Sequence, residues 1–119
     1  MPLTERPSLT RTRNGACWMA ELRWAETALA DLAAIREYLN SQSPTAGRRF
    51  VAACFQRAES LALFPRQGRM TPEARREDIR ELIVEGHRLI YWTDGERVTM
   101  LAVVHGRQDF LCMTPKPWE

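Results

Sequence analysis

Apolar residues recur at two different spacings along this chain, and the change of spacing sets out its elements. Over residues 26–40 they fall at Ala28, Leu32, Ile35 and Leu39, the rhythm of an amphipathic helix. Residues 41–43 interrupt it. A second stripe, Phe50, Cys54, Ala58 and Leu61, continues to about Leu63. Ser43-Pro44 is the expected start of this second helix, with serine as N-cap and proline at the first helical position, where its missing N–H is not needed. Two helices separated by so short a break are expected to form an antiparallel hairpin.

Beyond Phe64 the pattern becomes that of strands. Phe64-Pro65-Arg66-Gln67-Gly68-Arg69 ends the helix, and residues 70–78 read as a polar connector. Segments 79–84, 88–92 and 98–105 read as strands. They are joined by Glu85-Gly86-His87 and by Thr93-Asp94-Gly95-Glu96, whose Asp-Gly pair favours a tight hairpin. Segment 98–105 is apolar on both faces, which places it inside its sheet. Residues 20–24, with Leu22 and Trp24 on one side, read as a further edge or paired strand. The predicted fold is α+β, in the order β-α-α-β-β-β, with the helical hairpin packed on one face of a mainly antiparallel sheet.

A chain of 119 residues supports one core. Residues 1–18 are rich in Pro, Thr and Arg without periodicity and are expected to be a flexible extension. The domain is expected over 19–112, with 113–119 as a C-terminal tail. No apolar run approaches the roughly 20 residues that span a bilayer, and the N-terminus lacks the apolar stretch of a secretory signal. A cytoplasmic location with no membrane partner is the expectation.

The net charge of +2 resides in residues 1–18, which hold three arginines and one glutamate; the remainder is balanced. Bulk charge therefore does not argue for nucleic acid, and any cationic site must be local. Arginine supplies 16 of the 17 basic residues. Arg80 opens a strand, Arg88 follows a turn and Arg107 lies past the last strand. Meandering strands can gather such positions on one face as a cationic surface for an anionic or nucleic-acid-associated target. The competing reading pairs Arg88 with Glu81 or Glu85 across its own hairpin, an exposed pair of little energetic weight.

Cys17, Cys54 and Cys112 are odd in number and far apart, with no Cys-x-x-Cys pair, so structural zinc is not expected. Cys54 reads as a small core residue. His87 and His105 show no third ligand, and neither a metal nor a cofactor is expected. Trp24, Tyr91 and Trp92 read as core rather than as a binding platform.

Several pieces, taken in order, resemble a known superfamily. They are Ala28 with Asp31-Leu32 and Ile35, then Ser43-Pro44, Phe50, Leu61 and the Pro65-x-x-Gly68-Arg69 turn. Ile90-Tyr91 and His105-Gly106-Arg107 complete the set. Together they resemble the RelE/ParE superfamily of toxins from bacterial type II toxin–antitoxin modules, most closely the ParE branch, often called plasmid stabilisation proteins. The resemblance covers about residues 20–110. It implies a toxin neutralised by a cognate antitoxin, which also carries the pair to operator DNA. Of the two target classes, ParE-like members inhibit DNA gyrase and RelE-like members cut messenger RNA on the ribosome.

The resemblance also assigns candidate residues. Arg69, Arg80, Arg88, His105 and Arg107 are the candidates for contacting target or antitoxin. The alternative, nuclease reading makes Arg80, Arg88, His105 and Arg107 its catalytic set. Such a nuclease must activate a ribose 2′-OH, hold the developing phosphorane charge and protonate the leaving oxygen. The C-terminal tyrosine used by ribonucleolytic members is absent here: QDFLCMTPKPWE follows Arg107, and Phe110 is its nearest aromatic. No lysine stands in the strand that supplies two in those nucleases. His105 is the one residue able to restore acid–base chemistry, since an imidazole titrates near neutrality. The gyrase reading is therefore preferred. A non-toxic module that only holds an antitoxin remains a third reading.

Overall fold

A computed structural model describes residues 19–72 and 74–105. The expected extension (1–18) and tail (113–119), together with Arg107, lie outside the described residues. Within them the order is β1 (Glu21–Trp24), α1 (Glu26–Gln42), α2 (Ala46–Leu63), β2 (Arg69–Met70), β3 (Ile79–Val84), β4 (His87–Thr93) and β5 (Arg97–His105). The sheet runs β1-β5-β4-β3-β2, with β1 parallel to β5 and every other pair antiparallel. The α+β architecture, a helical hairpin on a mainly antiparallel sheet, is thus the one expected from the sequence.

The helices bury the stripes that predict them. Ala28 and Leu32 are buried, with Ile35 and Leu39 packed beside them. Phe50, Cys54, Ala58 and Leu61 of α2 are fully buried against Leu82, Leu89, Tyr91, Val98 and Met100. Burying a side chain such as Phe50 contributes about 1.5–3 kcal/mol. Cys54 is a core residue, and burial, aided by Glu85, pushes its thiol up to about 12. A thiol so hard to ionise is a poor nucleophile.

Several boundaries differ from expectation. Ser43 does not cap α2. Its N–H bonds back to the Leu39 carbonyl at 3.0 Å, which ends α1, and its own carbonyl takes the Ala46 N–H at 3.3 Å across a turn through Pro44. Thr45 then occupies the N-cap position, and α2 begins at Ala46. A second difference is β2, a two-residue strand within the expected turn and connector. It pairs Arg69 with Glu81 and Met70 with Arg80.

The β3–β4 turn contains two residues rather than three. Glu85 (φ 49°) and Gly86 (φ 82°) both have positive φ, as a type I′ hairpin requires. A bulge between Ile90 and Tyr91 shifts the β4–β5 register. Past the end of β1, α1 takes over the β5 edge: Thr27 Oγ1 donates to the Leu101 carbonyl (2.9 Å), and Asp31 Oδ2 accepts the Val103 N–H (3.0 Å).

The sheet is buried on both faces. Ile79, Ile90, Ala102 and Val104 form a second cluster on the face away from the helices. Among the described residues, no helix is long and apolar enough to cross a membrane.

Candidate functional site

Alternation along β3 puts Ile79, Glu81 and Ile83 on the face away from the helices, and Arg80, Leu82 and Val84 on the helix face. The pairing Ile83↔Arg88 puts Arg88 on the former. His87 and His105 are paired with each other on the helix face. Arg80 and His105 therefore project on one side of the sheet and Arg88 on the other. Arg80 and Arg88 therefore do not share the cationic face expected from the sequence, and Arg107 lies outside the described residues.

Arg88 is also not a surface cation. It is 6% exposed, and its Nε donates to Glu81 Oε1 at 2.8 Å, with Nη2 bonding the same oxygen at 2.5 Å. Glu81 has no exposed side-chain surface, and its second oxygen, Oε2, accepts from Arg69 Nε at 2.5 Å. The expected Glu81–Arg88 pairing exists, but in a buried setting rather than an exposed one. One carboxylate is thus held between two guanidinium groups. Its desolvation is offset only while both partners remain. The Arg69 side chain is 66% exposed, so this half of the cluster alone reaches solvent.

The same turn is held from the helix face by hydrogen bonds to its backbone. The Tyr91 hydroxyl donates to the Pro65 carbonyl (2.8 Å) and accepts the Gly68 N–H (2.9 Å). Burial raises the Tyr91 pKa, so the phenol stays protonated and can keep donating. A Cβ at position 68 would stand 2.7 Å from that hydroxyl, which is why the motif needs glycine there. Arg80 donates to the Gly68 carbonyl (2.8 Å) and the Glu77 carbonyl (3.0 Å). The Pro65-x-x-Gly68-Arg69 turn is therefore a braced element, with Tyr91 and Arg80 on one side and Glu81 on the other. Reading the sequence placed Tyr91 in the core but gave its hydroxyl no role. A tyrosine facing a Pro/Gly turn across an apolar strand is the signal that was available.

At the opposite end of the strands, the His87 and His105 rings meet edge to face, with centroids 5.4 Å apart. His87 packs on Phe50, and His105 is exposed. Trp24 and Tyr91 are fully buried core residues. Trp92 is half-buried, with its indole N–H on Asp78 (3.2 Å) and the Arg97 guanidinium 5.6 Å over its ring. This arrangement can offer an anion one exposed, oriented arginine at Arg69. It does not bring His105 and Arg88 to one reacting atom.

The family model for the ParE toxin of the type II toxin–antitoxin system, parDE, matches residues 22–110. A curated relative, Toxin RelE2 of Caulobacter vibrioides, is 42% identical over 66 residues, which is 56% of this chain and 70% of that protein. The fold is similar to that of a solved chain of the chromosomal ParDE toxin–antitoxin system from P. aeruginosa. The TM-score is 0.61 at 22% identity, covering 73% of this chain and 96% of the other. The chain belongs to the ParE toxin family of the RelE/ParE superfamily, and such a module implies a cognate antitoxin.

Proposed function

We propose that this ParE-family toxin inhibits DNA gyrase rather than cutting messenger RNA, and that its antitoxin restrains it. The observation that carries the reading is the split of the candidate cations between the two faces of the sheet. A phosphorane needs its cations and its acid–base groups around one phosphorus. Here Arg88 is buried on Glu81, Arg80 is bonded to turn carbonyls on the other face, and the Tyr91 hydroxyl is occupied by Pro65 and Gly68. These residues stabilise a turn that presents Arg69, together with the exposed Leu63, Phe64 and Met70, to a protein partner. Exposed apolar groups and an oriented arginine along one short segment suit protein recognition. Arg107, outside the described residues, is assigned to the same recognition role by the family resemblance.

The test is induction of the chain without its antitoxin. Growth arrest with a DNA-damage response and intact messenger RNA is the expected result. Site-specific messenger RNA cuts that vanish in a His105→Ala variant would make the chain a ribonuclease. Unimpeded growth would make it an antitoxin-binding module.

A further inference from the structure

We propose that His87 and His105 form a binding site for a divalent transition-metal ion at the open end of β4 and β5. The two are register partners, so their side chains leave the same face of the sheet from adjacent backbones. Their ring centroids lie 5.4 Å apart, with the planes at 77°. Two imidazoles on one tetrahedral ion, each at a metal–nitrogen distance of about 2.0–2.1 Å, have ring centres about 5 Å apart. The backbone therefore already sets the separation, and side-chain rotation alone can turn both nitrogens onto an ion.

The surroundings of His87 favour the same reading. Its Nδ1 lies 3.2 Å from the Glu85 carbonyl, held there by the positive-φ turn at Glu85-Gly86. A proton on Nδ1 satisfies that carbonyl and leaves the Nε2 lone pair for a metal, the outer-shell bond that commonly orients a metal-binding histidine. Phe50 packs on the same ring, with centroids 4.7 Å apart, and limits its motion. His105 is exposed, so water can complete the coordination. Among the described residues, no group of three ligating side chains surrounds the pair. Among the described residues the site is a two-imidazole chelate. Nitrogen donors of this kind select Zn²⁺, Ni²⁺ or Cu²⁺ over Mg²⁺ and Ca²⁺. A bound ion would tie the first residue of β4 to the last residue of β5. This site is independent of the turn proposed to meet the target.

The experiment is thermal unfolding of the full chain, free of any polyhistidine tag, with Zn²⁺, Ni²⁺ or Mg²⁺ in excess. Zn²⁺ and Ni²⁺ should raise Tm by about 4–8 °C and Mg²⁺ should not. His105→Gln should abolish the rise while leaving the metal-free Tm close to that of the parent. His87→Ala should do the same; if loss of its packing on Phe50 unfolds the protein, the exposed His105 variant decides alone. With Cu²⁺, electron paramagnetic resonance should show two nitrogen ligands in the parent and one at most in His105→Gln. No Tm rise with Zn²⁺ or Ni²⁺, or an equal rise in His105→Gln, would overturn the proposal and leave the two rings as an edge-to-face contact only.

Discussion

The two faces of the sheet hold the same turn by opposite means. On the helix face, Tyr91 and Arg80 reach the backbone of Pro65 and Gly68 with hydrogen bonds between a phenol or guanidinium and peptide groups. On the far face, a buried carboxylate grips Arg69 and Arg88. The first arrangement loses a bond or two when disturbed. The second leaves a charge in the interior. A family motif that looks like a recognition loop is thereby a load shared between two unlike supports, and the residues best placed to be catalytic are the ones providing the support.

Glu81 should give the largest effect. Glu81→Ala strands Arg88 in the interior and should lower stability by about 3–5 kcal/mol, read from denaturant unfolding. Replacing Glu81 and Arg88 together by methionine should recover most of that loss, because a paired apolar substitution removes both desolvation costs. A double variant as unstable as Glu81→Ala would show that the pair is not the source of the penalty.

Tyr91→Phe should cost less, about 1–3 kcal/mol, since it leaves the Gly68 N–H and the Pro65 carbonyl without the hydroxyl they share. Hydrogen exchange should quicken at Gly68 more than at Leu82. If it does not, the turn is held from the far face alone.

The smallest effect lies away from both supports, in the β4–β5 turn. The Glu96 and Arg97 N–H groups, with a further contribution from the Arg97 guanidinium and against a small desolvation cost, hold the Asp94 carboxyl down at about 2. Its folded pKa lies below the unfolded value of about 3.9, so its contribution is present above that pH and is lost as pH falls towards 2. Asp94 is exposed, and solvent screening keeps this well below about 1 kcal/mol. Asp94→Asn should flatten the stability profile between those pH values and lower stability at pH 7 by less than about 1 kcal/mol, the two chains converging as pH falls towards 2.

Much of the fold was legible because periodicity is a property of single elements. Phe50, Cys54, Ala58 and Leu61 mark one helical stripe, and all four are buried. β2 was not legible, because two exposed residues carry no period. Ser43-Pro44 misled because a serine that ends one helix looks like a serine that starts the next. Arg80 and Arg88 part company for a reason already present in the sequence. Segment 98–105 is apolar on both sides, which implies a covered second face, and Arg88 pairs with Val104 on that face. An arginine opposite a buried valine is buried too, and Glu81, two residues from Ile79 and Ile83 on the same face, was its available partner. The separation of Arg80 from Arg88 needed only the hairpin register, which a two-residue turn sets and a three-residue turn would not.

The proposed function is action on gyrase through a braced recognition turn and not through phosphoryl chemistry. It is tested most directly with purified chain, gyrase and relaxed plasmid. The chain should inhibit supercoiling or trap cleaved plasmid on gyrase. Arg69→Ala should weaken that inhibition by about 1–3 kcal/mol in apparent affinity if its contacts to the target are charge-assisted, with the stability lost on removing a partner of Glu81 read from unfolding of the same variant. Unimpaired supercoiling at saturating toxin, with cleavage of messenger RNA on ribosomes by the same preparation, would contradict the account.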